Sequence, residues 1–319
     1  MKPLPHASSA TAGSAIDLSV RIGSLTLPNP VVTASGTFGS GLEYRDFVDI
    51  ESIGAIVTKG VSPVAWPGNE GRRIVETASG MLNSIGLQNP GVEAFATTHL
   101  ATLREVAPRA TVIVNVVGHT AAEYRQVIER LEREPNVAAY ELNVSCPNLE
   151  EGGMAFGVSC PSIEAITRTC REATRRPLIV KLTPNVTDIT ETARAAEAAG
   201  ADSVSLINTL LGMAIDLKTM RPKLQRVVGG LSGPAIKPVA LRMVWETARA
   251  VSIPIIGMGG VATAEDVVEF MLAGATAVAV GTANFTDPTS TAQAVDGLAC
   301  FCERRGIHQV SSLIGALEV

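Results

Sequence analysis

Short apolar runs recur along the chain from residue 30 onward, and each run ends in polar or glycine residues before an amphipathic segment begins. The runs cover residues 31–36, 55–60, 111–118, 138–146, 177–184, 203–209, 254–260 and 277–285. They are apolar almost throughout, instead of alternating between apolar and polar positions. This pattern predicts the strands of a parallel sheet that is buried on both faces.

The segments between these runs have the spacing of amphipathic helices, as in residues 120–134, 162–176 and 264–275. Gly200 and Gly274 follow two helical segments and suit the left-handed position that ends a helix. Eight strand–helix units predict a single (β/α)8 TIM barrel. A doubly wound open sheet is the alternative, but eight units without a switch point favour a closed barrel.

Two connections are too long for ordinary turns, namely residues 61–90 and 210–233, and they predict long βα-loop insertions over the C-terminal face of the barrel. Residues 17–30 predict a β-hairpin at the bottom of the barrel. Residues 1–15 are rich in Ala, Ser and Thr and contain no continuous apolar segment of a signal peptide. We therefore expect a disordered tail over residues 1–15 and one barrel domain over residues 16–319.

Composition narrows the class of protein. The net charge of −5 and the pI near 5.5 do not favour nucleic acid or an anionic membrane as a partner, and no apolar segment is long enough to span a bilayer. The five cysteines lack C-x-x-C spacing, and Cys300 and Cys302 lie two apart in a predicted helix, where their side chains face different ways. We predict no metal site and a reducing, cytoplasmic location.

Polar residues and glycines stand where the predicted strands end, which is where a TIM barrel builds its active site. They are Ser35, Gly36, Lys59, Gly60, Asn115, Asn143, Ser145, Cys146, Lys181, Asn208, Thr209, Gly257, Gly259, Gly260, Gly281 and Thr282. A buried, unpaired lysine is costly, so Lys59 and Lys181 predict an electron-rich ligand such as a flavin. The alternative is that each lysine extends along the rim into solvent.

The glycines after the seventh and eighth strands predict a phosphate site, with tight turns as the alternative.

Cys146 precedes Pro147 and opens a glycine-containing loop that could act as a lid. A thiol of lowered pKa can serve as a base. Because no histidine is placed to assist it, the sequence favours proton abstraction from a carbon acid over acyl transfer. The alternative is a small buried apolar residue.

A series of ordered motifs resembles the dihydroorotate dehydrogenase family. They include "TASGTFGSG", "VTKGV", "NSIGLQNPG", "ELNVSCPNLEEGGMAFG", "VKLTPN", "GGLSGPAIKP", "GMGGV" and "VAVGTANF". The resemblance spans roughly residues 16–305 and covers every predicted strand end. It is strongest to the class 1B catalytic subunits. It implies an FMN-binding barrel that oxidises (S)-dihydroorotate to orotate in de novo pyrimidine (UMP) biosynthesis.

The resemblance also implies a role for each matching residue. Cys146 matches the base that removes the C5 proton of dihydroorotate while C6 gives hydride to N5 of FMN. The substrate would be held by Lys59, Asn83, Ser84, Ile85, Gly86, Leu87, Asn143, Asn148, Asn208 and Thr209. FMN would contact Ser35, Lys59, Gly60, Asn115, Asn143, Lys181, Ile207 and Gly233. Its phosphate would contact Gly259, Gly260, Gly281 and Thr282.

Class 1B subunits are similar to barrels that hold one FMN and work with a partner subunit carrying FAD and a 2Fe–2S cluster, which passes electrons to NAD+. The resemblance therefore implies a heterotetramer of two catalytic and two partner chains, with a homodimer of barrels.

Three alternatives to this function remain. One is a single-subunit enzyme that uses fumarate, and another is a non-catalytic flavin or phosphate-binding barrel. The third is a dihydropyrimidine dehydrogenase-like flavoenzyme, which would typically show His at Asn148.

Two features depart from the family pattern. Trp66 and Pro67 stand where relatives more often have a Pro-Arg pair, and the N-terminal tail has no counterpart. The chain also has no four-cysteine cluster site. Direct reduction of NAD+ by this chain alone is therefore not expected.

Overall fold

The computed structural model describes residues 16–144, 150–151 and 154–319. In chain order its strands are β1 (Val20–Ile22), β2 (Leu25–Leu27), β3 (Val31–Thr33), β4 (Ile56–Val57), β5 (Ile74–Thr77), β6 (Gly80–Asn83), β7 (Val112–Val116), β8 (Val137–Asn143), β9 (Glu150–Glu151), β10 (Met154–Ala155), β11 (Leu178–Lys181), β12 (Ser203–Leu206), β13 (Leu210–Met213), β14 (Ile215–Asp216), β15 (Arg221–Pro222), β16 (Val228–Ser232), β17 (Ile255–Met258) and β18 (Ala277–Val280).

A parallel eight-stranded sheet forms the centre, in the order β3-β18-β17-β12-β11-β8-β7-β4. It closes into a barrel between β3 and β4, where the Thr33 N–H donates to the Ala55 carbonyl at 3.1 Å. β3, β4, β7, β11, β12, β17 and β18 are buried at every residue, as the apolar runs predicted. The predicted TIM barrel is confirmed, and the open sheet is excluded.

The helices surround the barrel. They are α1 (Val92–Ala94), α2 (Ala101–Val106), α3 (Ala121–Leu131), α4 (Cys160–Ala173), α5 (Ile189–Ala198), α6 (Lys237–Ala248), α7 (Ala264–Leu272), α8 (Ala283–Thr286) and α9 (Ser290–Arg305), with a π-helical segment (Phe95–Leu100) joining α1 to α2. Short 3₁₀ helices cover Leu42–Tyr44, Phe156–Val158, Pro234–Ile236 and Val310–Leu313. None of the helices within the described ranges combines the length and the apolar character needed to cross a membrane.

Local sequence signals set the helix ends. The Thr120 hydroxyl caps α3 by accepting from the Glu123 N–H at 3.2 Å, and the Asp188 carboxylate caps α5 by accepting from the Thr190 N–H at 2.8 Å. After α5 and α7, Gly200 and Gly274 have φ values of 98° and 115°. These are the left-handed residues that the sequence predicted, and they turn the chain toward the next strand.

The hairpin β1–β2 lies at the bottom of the barrel, as predicted. Its turn residue Gly23 is so close to Asp202, just before β12, that an added Cβ would lie 3.0 Å from the Asp202 Cβ. Ile22 and Leu27 are fully buried beneath the strands. The hairpin therefore covers the end of the barrel opposite the strand ends that carry the candidate site residues.

The two long insertions combine into a second sheet, which the sequence did not predict. β5 and β6 come from the first insertion, and β13 and β16 come from the second. They pair antiparallel in the order β13-β16-β6-β5, which we call the roof sheet. One smaller correction concerns a helix. The last predicted run, residues 277–285, extends past β18 into α8.

Candidate active site

A cavity of about 660 Å³ lies between the C-terminal ends of the barrel strands and the roof sheet. Gly257, one of the predicted strand-end residues, does not line it, but every described residue that the resemblance assigned to substrate or cofactor does. These residues are Ser35, Lys59, Gly60, Asn83, Ser84, Ile85, Gly86, Leu87, Asn115, Asn143, Lys181, Ile207, Asn208, Thr209, Gly233, Gly259, Gly260, Gly281 and Thr282. Cys146 and Asn148 lie outside the described residues. The residues chosen from separate strand ends therefore share one cavity, and their individual roles remain predictions.

Four buried polar residues form what we call the cavity floor: Ser35, Asn115, Asn143 and Lys181. Each is at most 5% exposed. Lys181 donates from Nζ to the Ser35 Oγ at 3.2 Å, and Asn143 donates from Nδ2 to the Asn115 Oδ1 at 3.3 Å. The floor therefore presents hydrogen-bonding groups from four strand ends at the C-terminal face of the barrel.

Lys181 is the positively charged residue of the floor, and its surroundings indicate which kind of ligand the cavity suits. It ends β11 and is 5% exposed, so it does not extend along the rim into solvent. Lys181 forms no ion pair with any residue that the structure describes. The lysine ion pairs found among the described residues are those of Lys237. Because a buried ammonium group is costly without a charged or polar partner, Lys181 suits an electron-rich ligand in the cavity. Lys59 lines the same cavity and is half-buried.

The glycines of the cavity fall into two groups. Gly259 and Gly260 have φ values of 125° and 79°, and a Cβ at Gly259 would lie 2.8 Å from the Ala240 Cβ, so turn geometry and packing alone require them. A Cβ at Gly281 would meet the chain no closer than 3.4 Å, and one at Gly36 would meet nothing within 4 Å. Gly281 and Gly36 therefore border space in the cavity that the chain does not occupy.

Lys237 lies beside Gly260 at the start of α6 but is engaged by carboxylates. Its Nζ lies 2.6 Å from Asp266 Oδ1 and 2.8 Å from Glu269 Oε2. Hydrogen bonds to these two side chains raise the pKa of Lys237. A phosphate near Gly260 would therefore depend on backbone N–H groups and hydroxyls, such as that of Thr282, which donates to the Ser232 Oγ at 2.8 Å.

The loop Asn83–Leu87 closes the cavity from the roof side. Gly86 and Leu87 both have left-handed backbone, with φ of 76° and 52°, and a non-glycine residue in that region is typical of functional sites. The buried Asn89 holds the loop: its Oδ1 accepts from the Ser62 and Gly91 N–H groups at 3.2 and 2.9 Å, while its Nδ2 donates to the Leu87 carbonyl at 2.9 Å. The loop is therefore fixed in its unusual conformation.

A further polar pair follows β12. The Thr209 N–H donates to the Asn208 Oδ1 at 2.7 Å, and Asn185 donates from Nδ2 to the Thr209 carbonyl at 3.0 Å. Asn185 itself lines the cavity. The segment after β12 is thus held in place by the segment after β11.

Several lining residues were not predicted from the sequence. They are Ala34, Thr37, Asn69, Arg73, Ile74, Met81, Gln88, Asn185, Leu211, Arg226, Val228, Gly229, Gly230, Ser232, Ile236, Met258, Ala279 and Phe285. Most belong to the two insertions, whose pairing has no local sequence signal. Asn185 follows "VKLTP" directly, and its place after a strand end could have identified it.

None of the cysteines and histidines within residues 16–144 and 154–319 lines the cavity. Cys300 is exposed and Cys302 is buried on α9, so the two thiols face different ways, as predicted. His119 contacts Trp66 with ring centroids 4.4 Å apart and lies 3.2 Å from the Glu123 carboxylate. Among the described residues, no group of three or more His, Cys, Asp or Glu side chains could hold a metal ion.

Comparison with known proteins identifies the family. The family model described as dihydroorotate dehydrogenase matches residues 17–301. The "Dihydroorotate dehydrogenase B (NAD(+)), catalytic subunit" of Alkaliphilus oremlandii is 54% identical over 94% of this chain and 99% of its own length. The protein of the same description from Trichlorobacter lovleyi is 56% identical, over 94% and 98%.

A solved structure supports the fold. It is described as "Crystal structure of DHODH in complex with ferulenol from Eimeria tenella", and it superposes with a TM-score of 0.79 at 22% identity, over 94% of this chain and 88% of the other. The predicted enzyme family and its type, an oxidoreductase, are confirmed by the close relatives. The chain belongs to the dihydroorotate dehydrogenase family, as its ordered motifs predicted.

Proposed function

We propose that the chain is the catalytic subunit of an NAD+-dependent dihydroorotate dehydrogenase that oxidises (S)-dihydroorotate to orotate in pyrimidine biosynthesis. One observation carries the proposal. Nineteen residues matched to the family's cofactor and substrate positions line a single cavity at the barrel mouth, in a chain about as long as relatives that bear this name.

FMN fits the chemistry of this cavity. Lys181 is a buried cation that donates a hydrogen bond to the neutral Ser35 hydroxyl, so it can face the part of a flavin that gains negative charge on reduction. Gly36 and Gly281 leave open space at two strand ends. Gly259, Gly260, Gly281 and Thr282 would hold the phosphate. When bound, FMN supplies the acceptor for the hydride that leaves C6 of dihydroorotate.

The carboxamides and Lys59 suit the substrate. Dihydroorotate is a cyclic imide with a carboxylate, so its ring needs both donors and acceptors, which Asn side chains supply. Asn83, Asn143, Asn148 and Asn208 would hold the ring, assisted by Thr209. Lys59 and the N–H groups of the Asn83–Leu87 loop would bind the carboxylate edge.

Cys146 would serve as the general base. It comes shortly after Asn143, the cavity-floor residue that ends β8, and it matches the position of the base in the family motif. Its thiolate would take the C5 proton while the carboxamides hold the pyrimidine in place. The fraction of thiolate rises with pH, so the proton transfer becomes faster as pH rises through the pKa of the thiol.

A partner subunit would complete the reaction. The relatives are named catalytic subunits of an NAD(+) enzyme, and we propose that a chain carrying FAD and a 2Fe–2S cluster receives the electrons in the cytoplasm. The assembly would contain two barrels, associated as a homodimer, and two partner chains. The exposed apolar side chains of the second insertion, among them Leu211, Met213 and Leu217, support a surface for a protein partner.

An acceptor assay tests this proposal and its alternative. The purified chain is mixed with dihydroorotate and either a redox dye, NAD+ or fumarate, with and without the partner subunit. We expect dye reduction by the chain alone and NAD+ reduction only with the partner. Efficient fumarate reduction by the chain alone would assign it to the single-subunit type, and turnover of dihydrouracil in place of dihydroorotate would assign it another pyrimidine.

A further inference from the structure

Glu141 is a buried carboxylate that begins the motif "ELNVSCPNLEEGGMAFG" but has no role in the proposed function. It lies in β8, two residues before Asn143, and is 1% exposed. No cation among the described residues forms an ion pair with it. A buried carboxylate without hydrogen bonds is strongly destabilising, so its partners indicate what it does.

Two side chains from other strands donate to Glu141. Asn115, on β7, donates from Nδ2 to Oε2 at 2.5 Å, and Ser205, on β12, donates from Oγ to Oε1 at 2.8 Å. Because β12 is separated from β8 by β11 in the sheet, the second bond crosses the inside of the barrel. Glu141 therefore lies within the barrel, directly bonded to a residue of the cavity floor.

The hydrogen bonds form a directed chain toward the cavity. A carboxylate can only accept, so the side of the Asn115 carboxamide that faces Glu141 must be its NH2 group. The Asn115 Oδ1 then points the other way and accepts from the Asn143 Nδ2 at 3.3 Å. Glu141 thus selects one of the two orientations of the Asn115 carboxamide, and Asn115 in turn selects the orientation of Asn143.

We propose that Glu141 is a positioning residue whose acceptor oxygens fix the carboxamide orientations of Asn115 and, through it, Asn143. It touches neither ligand. Its effect is to present the correct donor and acceptor groups of two floor residues before any ligand arrives, which lowers the cost of binding. The inference rests on the proposed function for the identity of the ligand, FMN, but not for the hydrogen-bond chain itself.

Two substitutions of Glu141, by residues of nearly the same size, separate the effect of the acceptor oxygen from the effects of charge and of side-chain volume. Glu141→Gln removes the charge but keeps an oxygen that can accept from Asn115 while its NH2 group donates to the Ser205 hydroxyl. Glu141→Met fills similar space without a strong acceptor. Ser203→Ala is a matched control, since Ser203 is a buried serine on the same strand as Ser205 whose hydroxyl donates to the Pro254 carbonyl at 2.8 Å.

The first readout is the dissociation constant of FMN, measured by fluorescence quenching on chains stripped of flavin. We expect Glu141→Gln and Ser203→Ala to stay within about threefold of wild type, and Glu141→Met to bind FMN at least about tenfold more weakly, the scale of one well-placed hydrogen bond. Equal weakening in both Glu141 variants would mean that charge matters and would overturn the proposal. Equal affinity in all chains would overturn it as well.

The second readout needs no flavin. Side-chain NH2 signals of chains labelled with 15N-asparagine are recorded by NMR, with Asn115 assigned by its absence in Asn115→Asp. We expect slow proton exchange at the Asn115 NH2 in wild type and Glu141→Gln, and faster exchange in Glu141→Met. Should Glu141→Met not fold, Glu141→Gln still decides, because loss of its slow Asn115 signal contradicts the proposal. A wild-type chain that binds no FMN would refute the proposed function while leaving this comparison readable.

Discussion

The cavity floor and the roof sheet enclose the same cavity but differ in how their strands pair and in how exposed their side chains are. The floor residues come from the ends of parallel strands, are at most 5% exposed and bond to one another through their side chains. The roof sheet is antiparallel and joins two insertions. Its strands leave Leu211 and Met213 54% and 52% exposed. The floor is a fixed polar surface, whereas the roof leaves large apolar side chains exposed, one of which, Leu211, also lines the cavity.

This difference indicates that the floor and the roof have different functions. A floor held by buried hydrogen bonds suits the cofactor and the chemistry, because such groups keep their orientation when a ligand binds. A roof with a loop of unusual backbone and an exposed apolar surface suits substrate entry and contact with another protein. Substitutions in the floor should therefore affect flavin binding and reduction, and those in the roof should affect substrate capture.

The largest effect is expected at Cys146, which follows the floor strand β8. Cys146→Ala should keep FMN bound but slow its reduction by dihydroorotate by about 10²- to 10⁴-fold, since the general base is lost. Anaerobic stopped-flow absorbance of the flavin band measures this rate. Cys160→Ala, at the start of α4, is the matched control and should reduce at the wild-type rate. Near-normal reduction in Cys146→Ala would remove the base from the mechanism.

The next effect is expected at Lys181. Lys181→Met should weaken FMN binding by about 10- to 100-fold or lower the reduction potential of the flavin, because a charge-assisted contact to the electron-rich ring is lost. The exposed Lys218 offers a control, and Lys218→Met should change neither quantity. Fluorescence titration and a dye-coupled redox titration give the two values. If both are unchanged in Lys181→Met, the lysine has only a structural role.

A smaller effect is expected from the glycines that leave open space. A Cβ at Gly281 would lie no closer than 3.4 Å to the chain, so Gly281→Ala should leave the melting temperature unchanged but weaken FMN binding about tenfold by occupying ligand space. Gly306 provides the opposite case. Its φ of 66° means that Gly306→Ala should cost about 1 kcal/mol of stability without changing FMN affinity. The same response in both variants would contradict the assignment of Gly281.

The smallest effect is expected at the roof. Arg226, whose Nε donates to Asn69 Oδ1 at 3.2 Å, lines the cavity and can attract the anionic substrate. Arg226→Gln should lower kcat/KM for dihydroorotate by about two- to threefold at low ionic strength, and the difference should vanish in high salt. Arg221→Gln, on β15 outside the cavity, is the control. An equal effect at all salt concentrations would argue against electrostatic attraction.

The floor was predictable from the sequence for a physical reason. Parallel strands in a barrel end on the same face, so polar residues at separate strand ends, such as Asn115 and Lys181, must converge. The roof sheet was not predictable in this way, because β16 pairs with β6 across about 150 residues of chain and neither strand has a distinctive pattern. Glu141 was missed because a single charged residue in an apolar strand gives no periodic signal. The family resemblance supplied the substrate, which the residues alone did not specify.

The most direct test of the account is an anaerobic stopped-flow experiment in which the purified wild-type chain is mixed with dihydroorotate before any acceptor is added. We predict rapid loss of the FMN absorbance band, at a rate that rises with pH as the Cys146 thiol deprotonates. A flavin that binds but stays oxidised with dihydroorotate, or a well-folded chain that holds no flavin, would contradict the account.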